Sequence, residues 1–430
     1  MTDTDGQSIE LITARCCVVG GGPAGMVLGF LLARAGVEVV VLEKHKDFLR
    51  DFRGDTIHPS TLEILHELGI LEEFLKRPHE EARMLSGVVG GETIPIADFS
   101  GLPTRCKFIA FMPQWDFLNF LAEHARRYPT FRLLMEAEVV GLREEQGRVI
   151  GVEARTPSGH LEVEAELTIG ADGRHSLVRE RAGLEVMNMG APMDVLWMRL
   201  SRRPDDPDQP MGRFDRGMVF VMIYRGDYWQ CGFIIPKGGF EKTRERGIAS
   251  FRESIVTIAP LMADRVGELA DWSHVKLLTV AVDRLKRWDR PGLVCIGDSA
   301  HAMSPIGGVG INLAIQDAVA AANLLAGPLV AGTLAQEVVQ KIQRRRELPT
   351  RLTQRMQILI QNRVITRVIG GSAKLSVPWV LRLLRRWPRL RRIPGRIIGM
   401  GFRPEHVGTP DAFGSEVSSA AGLREGDSSS

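Results

Sequence analysis

The stretch 16–43 constrains the fold most, because it combines an apolar run, a glycine-rich turn, a helical segment and a second apolar run that ends in a carboxylate. The glycines Gly20, Gly22 and Gly25 follow the first apolar run. In a strand–turn–helix unit, the first glycine allows the tight turn, the second leaves room for a pyrophosphate and the third lets the helix pack on the strand. The N–H groups at the helix start bind phosphate, and Glu43 is placed to accept from a ribose hydroxyl. The stretch predicts a dinucleotide-binding unit.

Length and composition limit the class of protein. The 430 residues and a hydrophobic content of 44% allow two folded domains or one large domain with an inserted layer. The five cysteines show no CxxC spacing, which favours a reduced, cytoplasmic protein. The N-terminus lacks an apolar h-region and no run of 18 apolar residues occurs, so we expect neither a signal peptide nor a membrane-spanning helix.

Two further glycine motifs follow apolar runs later in the chain. GADG at 170–173 ends a predicted buried strand, and GDSAHAMSPIGGVGIN at 297–312 follows another strand and leads into an alanine-rich helix. Asp298 lies at the strand end, where it either binds a ligand or only caps the following turn. The N–H groups of the helix start offer a site for a polar or anionic ring edge. We predict that this turn and the first one bind opposite ends of one long ligand.

The remaining segments predict an α/β fold with an α+β middle layer, in which a Rossmann-like domain carries an inserted β-sheet domain and C-terminal helices. Short strands are expected over 84–111, an amphipathic helix over 114–128, an antiparallel meander over 131–166 and β-rich segments, including one over 277–285, up to residue 289. The predicted domains are a discontinuous dinucleotide-binding domain (1–83, 105–183 and 291–347), a substrate domain (84–104 and 184–290), a basic C-terminal helical region (348–404) and a flexible tail (405–430).

Together, the three motifs GGGPAG, GADG and GDSAHAMSPIGGVGIN resemble the fingerprints of FAD-dependent class A flavoprotein monooxygenases, the aromatic hydroxylase group of para-hydroxybenzoate hydroxylase and the ubiquinone-biosynthesis hydroxylases. Their order and spacing match up to about Glu347. The resemblance implies bound FAD, NAD(P)H as co-substrate, and hydroxylation of an aromatic, quinone-like or polyketide substrate with O2 through a flavin C4a-hydroperoxide. Because the flavin carries the chemistry, we assign no catalytic side chain and no metal site.

The resemblance also implies which residues contact FAD. They are Gly20, Gly22, Pro23, Ala24 and Gly25 at the pyrophosphate, Glu43 at the adenosine ribose, Arg53 beside the flavin, Gln114 at the phosphates or ribityl chain, Val139 at the adenine, Asp298 at the ribityl chain, and Pro305, Gly307, Gly308, Gly310, Ile311 and Asn312 at the isoalloxazine. Asp172, with Gly173 and Arg174, matches a motif implicated in both FAD and NAD(P)H binding. From the residues alone, Arg53 is either a cofactor contact or a solvated residue near a helix start.

Large side chains that alternate along the middle strands are candidates for the apolar wall of a substrate pocket. They are Met198, Met218, Phe220, Met222, Phe233 and Ile235, with Tyr224 and Tyr228 as candidates to orient a phenol. The same alternation is equally typical of a sheet core, and a tyrosine in a sheet is more often structural. Neither His58 nor His301, both near predicted cofactor loops, is assigned as a base.

The segment 348–404 contains thirteen Lys or Arg and no Asp or Glu. Residues 378–388 predict an amphipathic helix with arginines on one face. Such a helix either makes a peripheral contact, through 378–403, with the anionic inner face of a membrane, or docks on the FAD domain with a solvated arginine face. Nucleic-acid binding is disfavoured because aromatic platforms do not interleave with the arginines.

Other functions remain as alternatives to a monooxygenase. A related flavin reductase would saturate isoprenoid double bonds by hydride transfer, without oxygen. A flavin-dependent halogenase would carry the signature WxWxIP, which is present only as CGFIIP at 231–236, without both tryptophans. A non-enzymatic flavin-binding interaction protein would hold FAD that NAD(P)H does not reduce productively.

Overall fold

The computed structural model describes residues 9–49, 56–207, 211–369 and 377–414. Arg53 lies outside these residues, so its predicted place beside the flavin stays a prediction. The strands are β1 (Ile9–Val19), β2 (Val39–Leu42), β3 (Thr56–Ile57), β4 (Glu80–Ala82), β5 (Met84–Val89), β6 (Glu92–Asp98), β7 (Ile109–Phe111), β8 (Phe131–Leu134), β9 (Glu138–Glu145), β10 (Arg148–Thr156), β11 (Gly159–Gly170), β12 (Val186–Asn188), β13 (Met193–Ser201), β14 (Met211–Asp215), β15 (Met218–Tyr224), β16 (Tyr228–Pro236), β17 (Lys276–Leu278), β18 (Asp283–Leu285), β19 (Asp289–Arg290) and β20 (Leu293–Cys295).

Twelve α-helices lie within the described residues. They are α1 (Pro23–Arg34), α2 (Pro59–Glu67), α3 (Leu71–Leu75), α4 (Gln114–Ala125), α5 (Leu177–Arg181), α6 (Phe240–Glu245), α7 (Gly247–Ile258), α8 (Gly310–Ala331), α9 (Gln336–Ile360), α10 (Thr366–Ile369), α11 (Trp379–Arg386) and α12 (Arg392–Met400). A π-helical turn, Gln361–Ile365, connects α9 to α10, and short 3-10 turns occur at Gly297–Ser299, Ile306–Gly308 and Pro388–Arg391.

The first layer is a sheet whose parallel core has the strand order β20-β11-β1-β2-β8. β1 lies at its centre because its apolar end is buried on both faces, as parallel strands require. The predicted meander is present in β9, β10 and β11, which pair antiparallel. The expectation was wrong for β8, which pairs parallel with β2. The helix α4, directly before β8, provides the crossover that a parallel pairing needs.

The second layer is a sheet of seven strands in the order β17-β13-β16-β15-β14-β5-β6. The segment 277–285, predicted as one strand, is divided between two sheets: β17 pairs with β13, and β18 pairs with β12. The break lies at Val280, whose N–H donates to the carboxylate of Asp194 at 2.9 Å instead of to a neighbouring strand. The apolar pattern predicts that the strand continues past Val280, but this hydrogen bond to the buried Asp194 side chain ends it.

The most apolar helix of the fold lies in its core. Within the described ranges, only the segment Ile306–Ala331 is long and apolar enough to cross a membrane, and 72% of its most apolar window is buried inside the fold. It contains α8, which packs with α1 in the main hydrophobic cluster. A helix that is apolar all round is typical of such a core position.

The C-terminal region departs from the predicted boundaries. The predicted domain border between residues 347 and 348 falls inside the continuous helix α9. The change in charge at this point belongs to exposed residues of the helix and does not mark the end of a domain. Residues 405–414, predicted to begin a flexible tail, pack on the fold: Glu405 is buried, Gly408 N–H donates to Asn323 and Ala412 N–H donates to the carbonyl of Arg34. The acidic composition of this segment was misleading because Glu405 pairs with a buried arginine, Arg346.

Candidate flavin site

The three glycine motifs lie side by side at one edge of the parallel sheet. Val19 of β1 is in register with Gly170 of β11, and Gly170 is in register with Cys295 of β20. The turns that follow these strands therefore leave the sheet at the same carboxyl edge, which is where ligands bind in open α/β sheets. Three segments far apart in sequence thus form one site.

Gly297 brings the two strand-to-helix turns together. A side chain at this position would come within 3.1 Å of the Cβ atoms of both Ala24 in α1 and Ala314 in α8. The first turns of the two helices consequently converge on a residue that must be glycine. The turns that the sequence assigns to opposite ends of one ligand are neighbours in the structure.

The first turn has the geometry that a pyrophosphate needs. A Cβ at Gly20, where φ is +109°, would lie 2.4 Å from the carbonyl oxygen of Ala171, and a Cβ at Gly25 would lie 1.9 Å from the carbonyl oxygen of Gly20. A Cβ at Gly22 would meet no atom within 4 Å, and no side chain caps the start of α1. Two glycines are therefore required by packing, whereas Gly22 keeps open the space in front of the helix start.

Glu43 lies beside this turn. Its Oε2 accepts a hydrogen bond from the N–H of Gly21 at 3.0 Å, and its Oε1 accepts from the N–H of His45 at 3.1 Å. These hydrogen bonds hold the carboxylate beside the first turn, where the sequence predicts a ribose hydroxyl of the ligand. The N–H of Ala137 donates to the Glu43 carbonyl at 2.9 Å, which brings the start of β9, with Val139, next to the same carboxylate.

The GADG motif anchors a short helix and leaves one oxygen available. Asp172 Oδ2 accepts from the N–H of Val178 at 3.1 Å, at the start of α5, whereas its buried Oδ1 has no partner among the described residues. Burial raises the pKa of Asp172, against the hydrogen bonds from Ser176 and Val178 that lower it. Arg174 Nη2 lies 3.9 Å from Asp298 Oδ2 and so connects this motif to the third one.

The loop before α8 presents an uncapped helix start. Gly307 and Gly308 have φ of +80° and +62°, and a Cβ at Gly308 would lie 2.5 Å from Thr56 Oγ1. The first turn of α8 has no side-chain cap and no acidic residue. Its N–H groups and the positive end of the helix dipole are therefore available to a polar or anionic ring edge. These features, with the open first turn, fit FAD.

Asn312 shapes this loop through its side chain. Its Oδ1 accepts from the N–H of His58 at 2.9 Å and from Thr61 Oγ1 at 2.7 Å, and its Nδ2 donates to the carbonyl of Thr56 at 3.0 Å. The prediction that Asn312 lines the isoalloxazine therefore applies to its backbone, since the side chain joins α8 to β3 and α2. Gln114 is the first residue of α4. Its contact with the phosphates or ribityl chain of FAD stays a prediction.

Three buried glutamines, which were not predicted from the sequence, bind the segment that leads into the same loop. Gln354, Gln357 and Gln361 donate their amides to residues of the segment 302–306. Gln357 makes a reciprocal pair with Ser304: it accepts from the N–H at 3.1 Å and donates to the carbonyl at 2.9 Å. The spacing i, i+3, i+7 places the three side chains on one helix face, and this spacing in a basic helix is the signal that would have identified them.

A buried charge network supports the third motif. Asp317 accepts from the N–H of Gly297 at 3.1 Å, from His301 Nε2 and from Arg346 Nε at 2.9 Å, and Arg346 Nη1 also donates to Glu405 at 3.1 Å. Burial alone would raise the pKa of Asp317, but His301 and Arg346 outweigh it and hold the pKa below its usual value. The network ties the turn at Gly297 to the C-terminal segment.

The structure places the side chains of the predicted substrate wall on the sheet face that α7 covers. Met198, Phe220, Met222, Phe233 and Ile235 are buried in a cluster with Phe251 and Ile255 of α7, and Met218 and Tyr224 pack at its margin. The opposite face of the same strands carries Val195, Val219, Ile234 and Trp197, and Ile306 of the flavin loop packs against that face. The alternation was identified correctly, but both faces are apolar, and the pattern does not reveal which one α7 covers.

His58, next to this loop, predicts a loss of stability in acid. The ring is fully buried, its Nδ1 lies 2.7 Å from the carbonyl of Ile398, and burial lowers its pKa to about 4. Because the unfolded chain takes up a proton near the ordinary pKa of about 6.5 and the folded chain does not, stability is lost as the pH falls from about 6.5 toward 4. Between pH 7.5 and 5 we expect a loss of about 2 kcal/mol from this residue.

Urea unfolding of wild type and His58→Asn at both pH values measures this effect. The variant keeps an N–H donor for Ile398 but cannot be protonated, so its stability should depend less on pH by about 2 kcal/mol. His66→Asn, on the exposed side of α2, is the matched control and should behave as wild type. An equal pH dependence in wild type and His58→Asn would contradict the prediction.

Comparisons with known proteins agree with this geometry. A family model described as "FAD binding domain" matches residues 13–355. The 6-methylpretetramide 4-monooxygenase of Streptomyces rimosus is 36% identical over 385 residues, which are 89% of this chain and 91% of that enzyme.

Solved structures share the fold. OxyS anhydrotetracycline hydroxylase of Streptomyces rimosus matches with a TM-score of 0.68 at 23% identity and covers 90% of this chain and 76% of that one. PqsL of Pseudomonas aeruginosa, in complex with 2-aminobenzoylacetate, matches with a TM-score of 0.71 at 22% identity and covers 83% of this chain and 99% of that one. The predicted fold class and the resemblance to flavoprotein monooxygenases are confirmed.

Proposed function

This chain belongs to the FAD-binding domain family, and from that premise we propose that its substrate is a multi-ring aromatic compound of the polyketide type. The chain is an FAD-dependent monooxygenase that uses NAD(P)H and O2 to hydroxylate an aromatic or polyketide substrate. The observation that supports this substrate class is the 36% identity, over nearly the whole chain, to an enzyme whose name specifies 6-methylpretetramide. The reductase, halogenase and interaction-protein alternatives have no comparable support.

The residues that would hold FAD follow from the geometry of the turns. Gly22 and the uncapped start of α1 would bind the pyrophosphate, Glu43 the ribose and Asp298 the ribityl chain. The start of α8 would face the polar edge of the ring. When bound, FAD supplies the redox chemistry between NAD(P)H and O2.

The protein's own contribution is to bind the substrate ring and exclude water. In our proposal the ring lies beside Trp197 and Ile306, which are only partly buried, at the margin of the sheet face where Val219 and Ile234 pack with Val368 of α10. An apolar wall favours a flat aromatic compound and keeps water from the reacting oxygen, which would otherwise be lost as hydrogen peroxide. The face covered by α7 takes no part.

The co-substrate and the location form part of the same proposal. NAD(P)H would bind transiently near Asp172 and Arg174, since the sequence has only one glycine turn of the first kind. The described cysteines are all free and buried, which suits the reduced cytoplasm where NAD(P)H is available. A peripheral contact of 378–403 with a membrane would place the enzyme at the inner face of that membrane.

Turnover with phenolic polyketides tests the function. The FAD-loaded protein is mixed with NADH or NADPH and a panel of one-ring to four-ring phenols under 18O2. We expect the multi-ring compounds to stimulate NAD(P)H oxidation and to gain one labelled oxygen. Oxidation that yields only hydrogen peroxide, or anaerobic reduction of a double bond, would overturn the proposal.

Two variants on adjacent positions of β13 test which sheet face binds the substrate. Trp197→Leu should raise KM and divert NAD(P)H oxidation toward hydrogen peroxide, because it removes a large apolar surface beside Ile306. Met198→Leu, a volume-conserving change on the face covered by α7, should leave both unchanged. If Met198→Leu uncouples the reaction and Trp197→Leu does not, the assignment of faces is wrong.

A further inference from the structure

The segment 377–396 presents an unusual concentration of exposed apolar side chains. Trp379 is 73% exposed, Trp387 57%, Ile393 59% and Val380 46%. These are four of the twelve large hydrophobic residues exposed in the described part of the chain. They lie on α11, between α11 and the 3-10 turn that follows it, and at the start of α12. We call this surface the Trp–Arg surface. Clusters of this kind mark interaction sites, whereas single exposed apolar residues do not.

The Trp–Arg surface is strongly basic. Exposed arginines surround the apolar side chains at Arg382, Arg385, Arg386, Arg389, Arg392 and Arg396. Among the ion pairs of the described residues, one involves an arginine of this segment, the exposed pair of Arg385 and Glu92. The surface therefore carries a local positive charge much larger than the net charge of +3 of the whole chain.

The inner side of the segment is fixed to the fold, so the outward tryptophans are not an effect of loose packing. Val377 forms a buried cluster with Val89 and Ile94 of the second sheet, and Leu381 packs against it. A Cβ at Gly395 would lie 2.1 Å from the carbonyl oxygen of Asp98, so α12 lies directly on β6. On α11 the residues 379, 380 and 383 lie along one stripe, and the exposed Trp387 follows directly after the end of the helix.

We propose that the Trp–Arg surface binds the anionic headgroups of a phospholipid membrane. Tryptophan is suited to the headgroup level because its ring is apolar with one polar N–H. Arginines beside it attract negatively charged lipid. A symmetric contact with a second copy of this chain would place arginines against arginines, which opposes association. An anionic bilayer accounts for both features, because its interface accepts the apolar side chains and its charge attracts the arginines.

Co-sedimentation of the full-length, FAD-loaded protein with vesicles tests this proposal. The vesicles contain phosphatidylcholine alone or phosphatidylcholine with about one third phosphatidylglycerol, at low and high salt. We expect binding to the vesicles with phosphatidylglycerol that falls as salt rises, and weak binding to neutral vesicles. Equal binding to both vesicle types, or to neither, would overturn the proposal.

Matched variants distinguish binding through the Trp–Arg surface from nonspecific electrostatic or hydrophobic binding by other parts of the protein. Trp379→Ala/Trp387→Ala and Arg382→Gln/Arg386→Gln should each weaken vesicle binding about 10-fold. The controls Leu11→Ala/Val330→Ala and Arg216→Gln/Arg244→Gln remove equally exposed groups elsewhere and should bind as wild type. FAD content shows that each variant is folded. If the controls lose binding equally, or if light scattering finds a dimer that the tryptophan variant dissociates, the surface serves another purpose and the proposal fails.

Discussion

Gly22→Val is expected to fold and to lose FAD. The backbone of Gly22 has φ −73° and ψ −178°, an extended conformation that valine adopts readily. A Cβ there would meet no protein atom within 4 Å, so the substitution should cost the fold little. The added side chain would instead occupy the space in front of α1, where the pyrophosphate needs close approach to the backbone N–H groups. We expect the dissociation constant for FAD to rise on the order of 100-fold.

Gly267→Val is the matched control for this experiment. A Cβ at Gly267 also meets no atom within 4 Å, but this residue lies in a 3-10 turn remote in sequence from the three motifs. Flavin fluorescence on titration with FAD measures affinity, and circular dichroism checks the fold. Wild-type FAD affinity in Gly22→Val would contradict the assigned role of the first turn. A loss of affinity in Gly267→Val would show that the effect is not local.

Arg346→Met is expected to lower the free energy of unfolding by about 3–5 kcal/mol, because the buried carboxylates of Asp317 and Glu405 both lose the buried cation that they share. Arg346 is fully buried and donates to both Asp317 and Glu405. Methionine fills much of the space but supplies no charge. Urea unfolding at pH 7.5 measures the loss, provided that the transition has a single step.

The neighbouring Arg345 provides the control for Arg346. It pairs with the same Glu405, but its side chain is 41% exposed, so Arg345→Met should cost no more than about 1 kcal/mol. In Arg346→Met/Glu405→Gln one of the two carboxylates that lose Arg346 is also made neutral, and this double variant should be more stable than the sum of the single effects predicts. Equal losses in Arg345→Met and Arg346→Met would show that burial does not set the strength of the network.

The features that the sequence predicted are those set by local sterics. Gly20 and Gly25 are required by contacts within a few residues or with the adjacent strand, and such requirements leave a readable pattern. Pro59 at the start of α2 and the buried face of α4, with Phe117 and Phe120, follow from the same local rules. The fold class followed because three such patterns occurred in a family-specific order.

The features that the sequence did not predict depend on long-range partners. In the sequence, Gln357 and Asn312 cannot be distinguished from ordinary polar helix residues. Their roles become visible only when the structure shows their hydrogen bonds to Ser304 and His58. The packing of the predicted substrate wall on α7 was not predicted, because the two apolar faces of β13–β16 differ only in what covers them, and α7 comes later in the chain. Glu405 was assigned to a tail because its arginine partners, the buried Arg346 and the partly exposed Arg345, lie far away in sequence, in α9.

The network from Gly297 to Glu405 also sets an order for biosynthesis. The first glycine turn is complete once the early strands have paired, but the turn at Gly297 depends on Asp317, which depends on Arg346 and so on Glu405. The ribosome must therefore add 108 residues after Gly297, as far as Glu405, before the turn at Gly297 gains this support. We expect FAD to be held stably only by a nascent chain that already includes Glu405.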